Sequence, residues 1–284
     1  MKNIQPTLIG LDIGGTNARA GLLENGKIIR LEQIRIKSQG TVPEVLEQIY
    51  ALIEQVLTAD VSGIGIAFPS IMDMDRGIVY DVQNIPSWKK VHLKDILEER
   101  FELPVRINND ANCFALGEYY FGQGQDYPNL VGLISGTGLG AGIVIAGRLH
   151  NGANGGAGEF GMTPYRDGIL EHYCTGRFFE QRGGQPGDRL AAAAAAGDSQ
   201  AQAVFDEFGF HFAQAIKTIQ YAIDPGIIIL GGSVRKSYTH FQPALDRELD
   251  NFAFPHARKN IRIAISNDDY IAILGAAALH LAGR

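Results

Sequence analysis

Apolar residues in this chain fall into two kinds of segment: short continuous runs that end in glycine, and longer stretches where they recur every third or fourth position. Val45, Leu46, Ile49, Leu52, Ile53 and Val56 follow the second rhythm, with Glu44, Glu47, Gln48 and Glu54 on other faces. That spacing predicts a helix over 41–57, opened by a Thr41/Glu44 capping box. Residues 92–101 read as another helix and 105–107 as the strand that follows it. A long amphipathic helix is predicted over 200–223, stopped by Asp224-Pro225 because proline lacks the N–H that a helix needs. An apolar strand over 226–230 then ends in Gly231-Gly232, and 271–281 forms a final helix. Residues 63–67 fit a short buried strand, and the six alanines 191–196 fit helix-forming filler. Strands alternating with helices predict an α/β architecture.

The pattern repeats. Leu8-Ile9-Gly10-Leu11 returns as Leu130-Val131-Gly132-Leu133 at an offset of 122. Gly15-Thr16 returns as Gly136-Thr137, Ala20-Gly21 as Ala141-Gly142, and Gly26-Lys27-Ile28 as Gly147-Arg148-Leu149, all at 121, so one residue is lost between copies. Each half therefore opens with an apolar strand, a Gly/Thr-rich turn, a second apolar strand (20–23 or 142–146) and a tight turn at Asn25-Gly26 or Ala146-Gly147. Such a unit is a hairpin.

Composition narrows the function. A chain of 284 residues holds about two domains. With 45% apolar and 20% charged residues it is an ordinary globular sequence. A formal charge of −6 gives no bulk positive field for nucleic acid or an anionic membrane. No run of about 20 apolar residues spans a membrane and no signal peptide precedes Asp12, so a cytoplasmic protein is expected. Cys113 and Cys174 are too few for a disulfide framework and are expected to be structural. The 35 glycines gather at 10–21, 63–65, 132–142, 147–161 and 231–232, mostly just after apolar runs.

Three of these places suit a nucleotide. Asp12-Ile13-Gly14-Gly15-Thr16-Asn17 sets a carboxylate at a strand end before two glycines and a hydroxyl. Backbone N–H groups can approach phosphate there, Thr16 can donate, and Asp12 can hold Mg²⁺ directly or through water. No lysine follows the glycines, so this is not a GxxxxGK[ST] loop. A second loop, Ser135-Gly136-Thr137-Gly138-Leu139-Gly140-Ala141-Gly142, occupies the same place in the other half. The duplicated hairpin resembles the actin, hexokinase and Hsp70 superfamily, in which ATP lies between two related domains, and Gly231-Gly232-Ser233 resembles that superfamily's adenosine loop. Between the loops stands Asn108-Asn109-Asp110-Ala111-Asn112. An acid between amides at a strand-to-helix junction can be a plain helix cap. Beside phosphate loops, Asp110 also has the chemistry of a general base and Asn109 that of an acceptor-orienting amide.

Taken together, the motifs resemble the ROK family of sugar kinases. They are LDIGGTNARAGL at 11–22, GIGIAFPS at 63–70, INNDANCFALGE at 107–118, ISGTGLGAGIVIAGRLHNGANGGAGEFGM at 134–162, LEHYCTG at 170–176, IIILGGS at 227–233 and LGAAAL at 274–279. The resemblance implies a two-lobed actin-like ATPase fold of ribonuclease H-like type, with lobes 1–112 plus 267–284 and 113–266. It implies ATP and Mg²⁺, a small-molecule sugar partner, a homodimer, Asp110 as base, and Asn84, Asn109, Glu159 and Glu171 as sugar ligands. Two departures stand out. The family's histidine and CxCGxxGC zinc cluster have no counterpart, because Met162 follows Gly161 and only seven residues without cysteine precede Leu170. No zinc site is expected, and other packing must hold the loop around Glu159. The family's GxPGPVD turn is also altered, to Ala67-Phe68-Pro69-Ser70-Ile71-Met72-Asp73. Competing readings are a non-kinase actin-like ATPase, which leaves Glu159 and Glu171 unexplained, and a sugar-binding regulatory protein, which would need a DNA-reading domain ahead of Asp12.

Overall fold

The computed structural model describes residues 6–69, 71–82 and 84–282; expectations that fall on residues 1–5 and on Ser70 lie outside the described residues. Five strands form the first sheet: β1 (Thr7–Ile13), β2 (Asn17–Glu24), β3 (Lys27–Arg35), β4 (Val61–Ala67) and β5 (Val105–Asn108), in the order β3-β2-β1-β4-β5. The first three are antiparallel neighbours, and β4 and β5 continue in parallel. The second sheet repeats this plan with β6 (Leu130–Ser135), β7 (Leu139–Ile145), β8 (Arg148–Leu149), β9 (Ile227–Gly231) and β10 (Ile263–Ile265), in the order β8-β7-β6-β9-β10. Register carries the repeat to single residues, since Gly10 faces Gly21 and Gly132 faces Gly142. Both hairpin turns place two residues in the left-handed region, Asn25 and Gly26 in one and Ala146 and Gly147 in the other. That geometry matches the natural twist of paired strands.

Side chains alternate across β1. Ile9, Leu11 and Ile13 pack with the apolar stripe of helix α1 (Val42–Val56) in one core, alongside helix α2 (Leu93–Phe101). The capping box of α1 forms as predicted, with both Thr41 and Glu44 engaged. Leu8, on the opposite face, joins a central core with Phe114, Ile271 and Ile273. That central layer is a pair of helices, α3 (Asp110–Tyr120) and α5 (Ile271–Ala278), while α4 (Ser199–Ile223) covers the far side of the second sheet. The 271–281 helix predicted from sequence ends three residues early, at Ala278.

Close approach explains much of the glycine excess. A Cβ on Gly10 would lie 2.0 Å from the Ile273 carbonyl oxygen of α5, and one on Gly142 would lie 2.3 Å from the Ala111 oxygen of α3. Each sheet thus receives one central helix at backbone distance. The helices meet the same way, with Gly275 against the Cys113 carbonyl. Cys113 and Cys174 are both buried and free.

Candidate functional site

The parallel strands of both sheets end at one cleft, the usual ligand side of such sheets. Asp12 sits at the end of β1, opposite Arg19 of β2. At the end of β5, Asn109 caps α3 by accepting the Asn112 N–H at 2.6 Å, so Asp110 becomes the first helical residue and not the cap itself. One Asp110 oxygen accepts the Ala111 N–H at 2.9 Å. Burial pushes the Asp110 carboxyl above its ordinary value, opposed by its backbone hydrogen bonds. Burial and then the Asp110 charge push Asp12 up to about 6, with Arg19 pulling the other way. Two neighbouring carboxylates countered by one guanidinium form a donor set short of positive charge, which fits a divalent cation beside a phosphate chain.

Two cavities meet at this acid. The larger, about 880 Å³, is lined by Asn109, Asp110, Gly136, Thr137, Gly138, Glu159 and Glu171. The smaller, about 530 Å³, is lined by Asp12, Arg19, Asp110, Gly231, Gly232 and Ser233. Asp110 and Ile134 belong to both. The predicted sugar residues Asn109, Asp110, Glu159 and Glu171 therefore share one chamber, and Asp12 shares the other with the Gly231-Gly232-Ser233 loop. The predicted second phosphate loop opens into the larger chamber and lies beside Ser233, whose Oγ is 3.7 Å from the place of a Cβ on Gly136.

Each turn spends one glycine N–H internally. Gly14 N–H donates to Asn17 O at 2.9 Å, and Gly136 N–H to Gly138 O at 3.0 Å. Glu171 braces the second turn by accepting the Leu139 N–H at 3.0 Å. Ser135 Oγ donates to Cys174 O at 2.6 Å, which ties the same turn to the segment after Glu171. Partial burial, then the charges of Asp110 and Glu171, hold the Glu159 carboxyl above its usual range. Gly14, Gly15, Thr16 and Asn17 line neither cavity, and nor does Asn84, which packs on Gly15 so closely that a Cβ there would sit 2.1 Å from its own.

Where the family's zinc cluster would stand, Thr163 to Leu170 fold as a small hairpin, Pro164–Tyr165 against Gly168–Ile169. Leu170 N–H closes it on Thr163 O at 3.0 Å. The Tyr165 and Tyr173 rings meet edge to face with centroids 5.2 Å apart, and both contact the buried His211 ring. Tyr165 Oη and His211 Nδ1 lie 2.9 Å apart in a hydrogen bond. An aromatic clamp thus packs the segment between Glu159 and Glu171.

Sequence reading missed Arg19 and Asn151. Arg19 was within reach, because continuing the Gly10–Gly21 register by two residues sets it opposite Asp12. Asn151 bonds to Asn108 and Asn112, 43 and 39 residues away, and no local pattern marks it. Among the described residues, no helix is long and apolar enough to cross a membrane.

The model of the ROK family matches residues 8–282. A glucokinase of Halalkalibacterium halodurans is 28% identical across 94% of this chain and 90% of its own length. An N-acetyl-D-glucosamine kinase of Pectobacterium carotovorum subsp. carotovorum is 30% identical across 96% of this chain and 98% of its own. The crystal structure of a ROK family glucokinase from Streptomyces griseus in complex with glucose and AMPPNP superposes with a TM-score of 0.78 at 27% identity, covering 96% of this chain and 98% of that one. The match bears out the actin-like fold expected from the duplicated hairpins.

Proposed function

The chain belongs to the ROK family, and on that premise we propose that it is an ATP-dependent sugar kinase, moving the γ-phosphoryl group of ATP to a hexose hydroxyl. The observation that carries this reading is the position of Asp110, among the described residues the one carboxylate that lines both chambers. A sugar in the larger chamber presents a hydroxyl to Asp110, oriented by Asn109 and gripped by Glu159 and Glu171. Asp110 accepts the hydroxyl proton as the sugar oxygen bonds to the γ-phosphorus and the bond to the β-phosphate oxygen breaks, releasing ADP. Asp12 would hold Mg²⁺, which offsets phosphate charge. The adenosine end lies against Gly231, Gly232 and Ser233, and Arg19 adds positive charge to the same chamber. We take residues 1–112 plus 267–284 and 113–266 as lobes that close over the substrates, expelling water from the transfer step.

Pro69, Met72, Met74 and Met162 add an apolar wall to the sugar chamber. A bare hexose offers little to such a wall, and it favours an acceptor with an apolar substituent, such as an N-acetyl group. The test is ADP release from Mg-ATP across hexoses and N-acetylhexosamines, with a no-sugar blank. Turnover should require a sugar and fall about 10²- to 10⁴-fold in Asp110→Asn. Equal turnover with and without every sugar would overturn the kinase reading in favour of an ATPase. Because burial raises the Asp110 carboxyl and only its ionised form accepts a proton, kcat should fall on the acid side with a midpoint above the ordinary aspartate range; a profile flat down to pH 4 would remove Asp110 from the base role.

A further inference from the structure

Three asparagine amides interlock behind Asp110. Asn108 ends β5, Asn112 lies in the first turn of α3, and Asn151 follows β8 in the other half of the molecule. Asn112 Nδ2 donates to Asn108 Oδ1 at 2.8 Å and to Asn151 Oδ1 at 3.2 Å, and Asn108 Nδ2 also donates to Asn151 Oδ1 at 3.2 Å. Asn108 Oδ1 accepts a second bond, from the Asn109 N–H at 2.8 Å. The residue just before Asp110 is thus pinned twice, by its N–H to Asn108 and by its side chain to the Asn112 N–H. Asn112 is fully buried and Asn108 is 4% exposed. Each buried amide group left unbonded is costly, so an apolar corner would be the simpler route to stability alone.

The third member links this corner to the sugar chamber. Asn151 opens the segment that carries Asn154, Gly155, Gly156 and Glu159 into the larger cavity, and its carbonyl holds that segment by accepting the Ala157 N–H at 3.2 Å. We propose that Asn151 is a positioning residue: through Asn108 and Asn112 it fixes the Asp110 carboxylate relative to the loop that carries Glu159. The proposal rests on the reading of Asp110 as the base.

The bonding pattern gives an isosteric test. Asn151 takes part only through its oxygen, whereas Asn112 takes part through its nitrogen while its Oδ1 has no partner among the described residues. The same amide-to-carboxylate exchange should therefore have opposite effects. Asn151→Asp keeps both acceptor bonds and should leave the corner as tightly held as in wild type, while Asn112→Asp loses both donors; the charge that each adds near Asp110 makes backbone protection, and not turnover, the readout for this pair. Asn151→Ala should lower kcat about 10- to 100-fold, the scale of a small misplacement of a reacting group, with KM for ATP unchanged. Amide hydrogen exchange at Asn109 to Ala111 should speed up in Asn151→Ala and not in Asn151→Asp, a readout that needs no turnover. Should Asn151→Ala not fold, Asn151→Ser, with its shorter reach, replaces it. Unchanged kcat and exchange in Asn151→Ala, or equally fast exchange in Asn151→Ala and Asn151→Asp, would overturn the positioning role. A wild-type protein without sugar-dependent turnover would instead sink the kinase reading, with the exchange experiment still deciding whether the three amides hold the corner.

Discussion

The two glycine hairpins are copies that differ at one decisive pair. Both carry facing glycines, both spend one turn glycine's N–H inside the turn, and both lie at backbone distance from a central helix. On the inner face at the strand end, however, the first copy sets Asp12 opposite Arg19 and the second sets Ile134 opposite Gly140. All of the charge of that cross-strand pair sits in one copy. Duplication supplied the backbone twice, and only one of the two hairpins carries an ionic pair at this position. A third carboxylate facing Asp12 and Asp110 would repel both, at about 4 kcal/mol per pair for charges 4 Å apart near a protein surface. The apolar Ile134, which lines both chambers, keeps that position neutral.

The sharpest way to break this contrast is to move the charge. Asp12→Asn should weaken Mg²⁺ use in sugar phosphorylation about 10- to 100-fold, read from turnover against Mg²⁺ concentration. Adding Ile134→Asp to that variant should restore nothing, because Gly140 gives it no guanidinium; recovery would mean that the two walls are interchangeable. Smaller effects should come from the features the copies share. Gly10→Ala and Gly142→Ala each drive a methyl into a helix carbonyl and should each cost about 1–3 kcal/mol in denaturant unfolding. A large loss in only one would show that the helices do not bear on the sheets alike. The last effect concerns pH. The folded Asp12 value of about 6 exceeds its ordinary value of 3.8, so the folded state holds a proton that the unfolded state gives up. The contribution of Asp12 to stability should therefore fall as pH rises from about 4 to 6, and Asp12→Asn should gain on wild type over that range by about 3 kcal/mol without Mg²⁺. Parallel pH curves for wild type and variant would contradict this account.

Much of the scaffold was legible because it obeys short-range rules. The α1 stripe and capping box, the α4 stop at Asp224 and the repeated hairpins are each written within about 25 consecutive residues. The strand β3 (Lys27–Arg35) was harder to read, since an edge strand that is half exposed mixes Lys, Arg, Glu and Gln with its apolar residues. The site divides in the same way. Asp12 and Asp110 stand at strand ends flagged by glycines and asparagines, and the family resemblance added Glu159 and Glu171. Asn151 and the aromatic clamp of Tyr165, Tyr173 and His211 depend on contacts between distant segments, and no run of neighbouring residues encodes them. Asn84, which the resemblance supplied, stands against Gly15, outside both chambers.

The contact between Gly10 and Ile273 has a further consequence for how the molecule is made. The inner face of β1 is covered by a helix encoded about 260 residues later. At translation rates of about 5–20 residues per second, the ribosome exposes that face for on the order of tens of seconds before α5 exists to cover it. Throughout that interval Leu8 and Leu23 are open to chaperones and to neighbouring nascent chains. Synthesis in the cell thus meets its greatest hazard at the sheet that is made first and finished last.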